Sequence, residues 1–279
     1  MTSSKPSQYI KGWVEFYKLK FKVTPDVLIP RPETELLVDE VLNILRSERS
    51  ESRSYHKNFS NSYGMFSTSS NNKNITIIDL GTGSGNIAIS IAKNLSLHPI
   101  RGLTAQEGVN VKIIATDVSS KALKVAKQNA KLHGVSDKIE FIHSNLLSDL
   151  NYTLNAIPLG NEVAASSAYT LILVTNLPYI PTARIPYLDS SVKDYEPRVA
   201  LDGGEDGFGL YRKLFQQIQS KNWKPQLIIG EIDYTHGELA INEAQKYFPE
   251  AQIEVRKDLA HLQRILTVKH ITHLAVPAI

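Results

Sequence analysis

Apolar and polar positions along this chain follow two rhythms. Ile75-Thr76-Ile77-Ile78-Asp79-Leu80, Val111 to Ala115, Ile139-Glu140-Phe141-Ile142, Tyr169 to Val174 and Leu227 to Ile232 are short runs rich in β-branched residues. That is the pattern of buried strands. Between them, apolar residues recur at helical spacing. Ile87, Ala88, Ile89, Ile91 and Ala92 form one such stripe, and Ala122, Leu123, Ala126, Ala130 and Leu132 form another. Ser119 or Ser120 suits the cap of the second helix, and Gly134 its end. Helices are also predicted from Leu210 to Gln219 and from Gly237 to Phe248. Strands alternating with helices predict an α/β fold built on a doubly wound, mostly parallel sheet. Gln252 to Arg256 and Arg264 to Lys269 are joined by too short a link for a parallel return, so the last strand should run antiparallel.

Before this region, Phe21 and Val23 alternate with Lys20 and Lys22, which predicts a half-exposed strand in a hairpin. Leu28-Ile29-Pro30-Arg31-Pro32-Glu33-Thr34-Glu35 is a proline-stiffened approach to a helix reaching about Arg46. Pro32 fits its first turn and Glu33 and Glu35 complement its dipole. Leu36, Leu37, Val41, Leu42 and Leu45 should face the core. Three polar or small-residue stretches, near 47–74, 96–110 and 151–167, interrupt the pattern and read as flexible insertions. The organisation expected is a short segment with a hairpin over 1–25 and one body over 26–279.

Composition narrows the class. Hydrophobic residues at 42% and charged residues at 21% are ordinary for a globular protein. No apolar run approaches the roughly 18 residues needed to cross a bilayer, and Met1 to Pro6 lacks the apolar core of a secretory signal. With no cysteine there is no disulfide, thiolate metal site or cysteine nucleophile, and the eight histidines are scattered without ligand spacing. No metal and no membrane are expected. A formal charge of +3 is too small to argue for nucleic acid.

Two stretches carry candidate chemistry. Asn176-Leu177-Pro178-Tyr179 follows a buried strand, and Pro178 turns the backbone out of the sheet. An amide, a free carbonyl and an aromatic ring then meet at a strand end, where open α/β sheets bind ligands. Gly81-Thr82-Gly83-Ser84-Gly85 lies between a strand and a helix, a nucleotide-binding corner. Asp117, ending the next strand, is placed for ribose hydroxyls. The third glycine comes one residue too early for the dinucleotide fingerprint, and Asp79 beside the loop would repel a pyrophosphate but attract the cation of an amino-acid moiety.

Asp79 to Gly85 resembles the cofactor loop of class I methyltransferases, and Asn176 to Tyr179 the Asn/Asp-Pro-Pro-Tyr motif of enzymes that methylate planar nitrogens. Leu28 to Glu35 resembles the signature of the release-factor glutamine methyltransferases, the HemK/PrmC family. Gln8-Tyr9-Ile10-x-Gly12, Ala200 to Gly207 and Lys257 to Ala260 match that family in the same order. The resemblance implies a seven-stranded, Rossmann-like fold with S-adenosylmethionine as cofactor. It also implies methylation of the glutamine in the Gly-Gly-Gln loop of a peptide chain release factor by a monomer. The compartment would be the cytoplasm or an organelle such as the mitochondrion. By the same resemblance, Asp79, Gly81, Thr82, Gly83, Ser84, Gly85, Asp117, Asn145, Leu146 and Asn176 would bind the cofactor. Arg31, Glu33 and the tetrapeptide would meet the substrate. The chain departs from the family in having Leu177 for a proline, Thr170 for an aspartate and Asn145 for the acid near the adenine. Of the family's helical docking domain, 1–25 resembles only the last residues.

A glutamine amide nitrogen is a poor nucleophile because its lone pair is delocalised. The Asn176 side-chain oxygen and the Leu177 backbone carbonyl, accepting its hydrogens, would hold it and favour the pyramidal form. Pro178 would stiffen the loop and Tyr179 pack on the planar amide. The rival reading is methylation of adenine amino groups in RNA or DNA, since Asn-Leu-Pro-Tyr also resembles the motif of ribosomal RNA adenine dimethyltransferases. The more specific Arg31-Pro32-Glu33-Thr34 string and the Ala200–Gly207 segment favour glutamine, making nucleic acid the weaker partner.

Overall fold

The structure, a computed structural model, describes residues 5–47, 73–98, 109–150 and 169–270. The chain enters through a short helix, α1 (Ser7–Lys11), and a hairpin of β1 (Trp13–Phe16) and β2 (Leu19–Lys22). Its two turn residues, Tyr17 and Lys18, both have positive φ, 51° and 59°. This is the primed-turn geometry whose twist matches paired strands, though it is usually left to Asn and Gly. The turn is tied down by helix α2 (Glu35–Ser47). Tyr17 N donates to Glu35 Oε1 at 2.7 Å and Tyr17 Oη to Asp39 Oδ1 at 2.6 Å.

The strands that follow are β3 (Lys73–Leu80), β4 (Val109–Asp117), β5 (Ile139–His143), β6 (Tyr169–Thr175), β7 (Leu227–Glu231), β8 (Ala251–Lys257) and β9 (Gln263–His270). They form one seven-stranded sheet in the order β5-β4-β3-β6-β7-β9-β8, parallel except for β9. Helices α3 (Asn86–Leu97), α4 (Ser120–Leu132), α5 (Ser190–Lys193), α6 (Gly209–Ser220) and α7 (Gly237–Tyr247) connect them. Alternate strand residues serve opposite faces, as the pleat requires. Ile77, Ile172 and Ile229 pack with the hairpin, α2 and α3, whereas Ile78, Leu173 and Ile228 pack with α6 and α7.

The parallel register positions the functional edge. Leu80 pairs with Thr116 on one side and Thr175 on the other, so Gly81, Asp117 and Asn176 stand at one level of the sheet edge. Thr175 pairs in turn with Gly230, which sets Asn176 beside Glu231. Strand order reverses between β3 and β6, the switch point at which such sheets open a crevice.

Several expectations need adjusting. Pro32–Thr34 form a separate 3-10 turn ahead of α2. Val38 is buried on α2, whereas Leu36 is only half-buried. Leu132 is 61% exposed. It lies at the margin of the buried arc of α4, and the cover over that margin, Tyr9, Val27 and Ile29, packs on Ala122 and Val125 in the early turns. The cap of α4 is Ser119, whose Oγ accepts from Ala122 N at 3.2 Å. Most of the three insertions lies outside the described residues, and at their edges Ser47 belongs to α2, Lys73 and Asn74 to β3, Ser96 and Leu97 to α3, and Val109 and Asn110 to β4. The hairpin within 1–25 shares its packing with the body, since Phe16 and Phe21 belong to the same cluster as Leu37 and Ile77.

Candidate active site

The glycine loop is held by the end of β4. Thr82 N donates to Thr116 O and Gly83 N to Asp117 Oδ2, both at 2.8 Å. Gly83 has φ 53°, and a side chain there would meet nothing closer than 4.0 Å, so its backbone faces open space. Gly85 serves another purpose. A Cβ on it would lie 2.7 Å from Ile89 Cδ1 and 3.2 Å from Ala126 Cβ, so its smallness lets α3 approach α4. Asp79 is fully buried beneath the loop. Its Oδ2 accepts from Thr82 Oγ1 at 2.6 Å and from Ala88 N at 3.1 Å, and Oδ1 has no partner among the described residues. Burial outweighs those bonds and pushes its carboxyl up to about 7.

Asp117 Oδ1 accepts from Ser119 N at 2.8 Å, and burial raises its pKa as well. Beyond β5, Leu146 adopts φ 58°, a strained conformation for a branched side chain. Neighbouring side chains hold it there. Ser144 Oγ donates to Leu146 O at 2.8 Å, Gln217 Nε2 donates to Asn145 O at 3.2 Å, and Leu147 N donates to Gln217 Oε1 at 2.8 Å.

In the tetrapeptide, Asn176 Nδ2 donates to Thr34 Oγ1 and to Glu231 Oε2, both at 3.0 Å. Both hydrogens of that nitrogen are thereby engaged, and the oxygen is left as acceptor. Leu177 buries its side chain against Gly81, and its carbonyl accepts no hydrogen bond from the described residues. Tyr179 Oη donates to Glu231 Oε1 at 3.1 Å, and burial and the nearby carboxylate both raise its pKa. The segment from Leu201 to Gly207 braces the loop from behind. Ile180 N donates to Leu201 O, Gly203 N to Ile180 O and Thr182 N to Gly204 O. Gly203 packs so closely that a Cβ would lie 2.7 Å from Pro178 O.

A cavity of about 250 Å³ lies along this edge. Gly81 to Ser84, Asp117, Asn145 and Leu146 line it together with Asn176, Leu177, Pro178 and Arg31. The structure thus brings most of the expected site residues to one place. Asp79 and Gly85 stand behind the loop, and neither Tyr179 nor Glu33 lines the cavity. Arg31 Nη2 pairs with Glu196 Oε1 at 2.5 Å, so the ion pair spans the chain and is not local to its loop. Among the described residues no group of three acids or histidines is placed to hold a metal ion, and no helix is long and apolar enough to cross a membrane.

A family model described as a methyltransferase domain matches residues 71–160. A release factor glutamine methyltransferase of Bacillus cereus is 32% identical over 262 residues, covering 94% of this chain and 75% of that protein. One of Lactococcus lactis subsp. lactis is 31% identical over 266 residues, covering 95% and 78%. The chain belongs to the release factor glutamine methyltransferase family. Among solved structures, the hMettl16 catalytic domain in complex with a MAT2A 3'UTR hairpin aligns with a TM-score of 0.55 at 13% identity, over 94% of this chain and 79% of that one. The N-terminal domain of human METTL16 in complex with SAH gives 0.51 at 15% identity, over 91% and 77%. Both are likenesses of fold alone.

In this family member, three polar side chains at the site were not singled out by sequence. Thr34 stands only within a motif string and Glu231 only inside the strand expected over Leu227 to Ile232, and Glu196 has no place in the sequence reading. Glu231 carries a visible signal, a lone acid inside the otherwise apolar run Leu227 to Ile232. Glu196 carries none, because its partner Arg31 lies 165 positions away.

Proposed function

We infer that this enzyme methylates the side-chain amide nitrogen of the glutamine in the Gly-Gly-Gln loop of a peptide chain release factor, using S-adenosylmethionine. The observation that carries this reading is the orientation of Asn176, whose Nδ2 is engaged and whose oxygen is left to accept. A planar amide offering two N–H groups suits that oxygen and the neighbouring Leu177 carbonyl. Methylation within a family of this name supplies the rest.

The edge suits the cofactor chemically. The open backbone at Gly83 leaves room for the amino-acid moiety, and the Asp117 carboxylate retains lone pairs for ribose hydroxyls beyond the two backbone N–H groups it accepts. Asn145 and Leu146 line the cavity and would hold the adenine, and Asp79, with a buried oxygen unpartnered among the described residues, would favour a cationic amino group above the loop. When bound, S-adenosylmethionine supplies an electrophilic methyl on a sulfonium. Asn176 and Leu177 hold the amide nitrogen, draw its hydrogens out of plane and expose its lone pair. Positioning and preorganised acceptors provide most of the rate. Pro178 stiffens the loop and Tyr179 flanks the amide while anchored to Glu231. Arg31 shapes the wall that the substrate passes, and Glu33 lies at its approach. Residues 1–25 belong to the docking side and the remainder to the catalytic body. The enzyme acts as a monomer in a compartment that translates, the cytoplasm or an organelle such as the mitochondrion.

The test is a mass-spectrometric comparison. A release factor carrying Gly-Gly-Gln should gain one methyl on its glutamine, a Gly-Gly-Asn variant should gain none, and ribosomal RNA should stay unmodified. Methylated adenine with unmodified glutamine would overturn the reading.

A further inference from the structure

A carboxamide can turn end for end at little intrinsic cost, so only its neighbours decide which atom faces a substrate. At Asn176 the neighbours come from two distant segments. Thr34 Oγ1 donates to Glu231 Oε2 at 2.7 Å, which uses the only hydrogen of the hydroxyl. The Thr34 oxygen can then serve Asn176 only as an acceptor. Glu231 Oε2 takes the second Nδ2 hydrogen itself. A turned carboxamide would set its oxygen against a carboxylate oxygen and lose both bonds.

We propose that Glu231 is a positioning residue that locks the Asn176 carboxamide with its oxygen as the free acceptor. The proposal rests on the glutamine-methylation reading for its catalytic consequence, but not for the lock itself. The carboxylate is 1% exposed and accepts from Thr34, Asn176 and Tyr179, which join the turn before α2 to the loop after β6. Three donors occupy three of the four lone-pair sites of the carboxyl, two on Oε2 and one on Oε1, and the bonds are strongest to its ionised form. The other charged or titratable groups facing it are Glu33 from the turn before α2, which opposes the charge, and Arg264 from β9, which favours it. Tyr211 Oη of α6 donates at 2.6 Å to the backbone oxygen of Glu231 and leaves the carboxylate free. Burial shifts the balance towards the protonated form, so proton uptake should begin above the ordinary carboxylate range as pH falls. Uptake on Oε1 removes the charge that strengthens the bonds to Oε2, so the lock weakens and kcat should fall on the acid side towards the level of Glu231→Gln.

Glu231→Gln, Glu231→Ala and Thr34→Val separate this role from mere packing. A glutamine can present its oxygen to Thr34 and Asn176 and its NH₂ to the Tyr179 oxygen. Glu231→Gln should therefore keep kcat at neutral pH within about fivefold and lose the acid limb. Glu231→Ala and Thr34→Val should lower kcat by about tenfold or more, with cofactor affinity within about twofold. A Glu231→Ala enzyme within about threefold of the parent, or an unchanged acid limb in Glu231→Gln, would overturn the proposal. If Glu231→Ala does not fold, the other two variants decide. The ¹⁵N signal of the Asn176 carboxamide, assigned by its loss in Asn176→Ala, gives a readout that needs no substrate. It should titrate in the parent and stay flat in Glu231→Gln, and a signal that does not titrate in the parent overturns the lock. If the parent leaves glutamine unmethylated, the substrate reading fails while this signal still decides on Glu231.

Discussion

Gly83 N donates to Asp117 Oδ2 at 2.8 Å, across 34 positions of sequence. The acid that ends β4 therefore shapes the loop that ends β3. Asp117→Ala should weaken S-adenosylmethionine binding by about 1–3 kcal/mol, the cost of a lost hydrogen bond to a charged group. Asp117→Asn, which keeps an acceptor for Gly83, should lose less. Isothermal titration of both variants measures the difference, and equal losses would mean that loop shape contributes nothing.

Asp79 supplies a pH dependence of known sign. Its carboxyl is raised from 3.8 to about 7 by burial, so the folded state holds this proton more tightly than the unfolded chain. Its contribution to stability is complete below the unfolded value and lost as pH rises through about 7. The melting temperature of the cofactor-free protein should fall across that window, and Asp79→Asn should flatten the fall. A cationic ligand group favours the ionised carboxyl, so cofactor affinity should rise over the same range. Calorimetry at pH values on both sides of 7 checks both directions.

Asn176→Ala would remove the acceptor proposed for the reacting nitrogen. Loss of one such preorganised group costs about 3–4 kcal/mol, so kcat should fall by roughly 100- to 1,000-fold. The cofactor Kd should change little, and single-turnover kinetics with separate titration would show the split. Leu177→Pro keeps the backbone carbonyl and should be mild by comparison.

Asn129 of α4 couples the N-terminal hairpin to the glycine loop. Its Nδ2 donates to Lys22 O at 3.0 Å and to Ser84 O at 2.8 Å, and its Oδ1 accepts from Lys22 N at 2.8 Å. It is fully buried, so Asn129→Leu would leave three backbone groups without partners. A loss of about 3 kcal/mol or more is expected. Chemical denaturation should show it as a lowered midpoint with an unchanged slope.

Where local pattern dictates structure, the sequence was legible. The β-branched runs become strands with faces alternating as at Ile77 and Ile78, and Gly81 to Ser84, Asp117, Asn145 and Asn176 meet at one cavity. What stayed hidden depends on strand order. Alternation of strands and helices predicts a doubly wound sheet without saying that β7 lies beside β6, and only that neighbourhood brings Glu231 to Asn176. Tyr179 was expected against the substrate, yet its hydroxyl is bound to Glu231, a partner that its own motif does not contain. Leu132 kept helical time with buried residues, but helical period cannot tell where the covering layer stops.

Thr34 and Glu231 are separated by 197 residues, and β9 must add to β7 before the strand that carries Glu231 gains its second neighbour. During synthesis the early segments emerge and collapse first, and contacts of such long sequence separation form late. A nascent chain could assemble its glycine loop while still attached to the ribosome and remain without the locked Asn176. Competence to methylate would then arrive only once β9 has been made and has added to β7, well after the cofactor corner has taken shape.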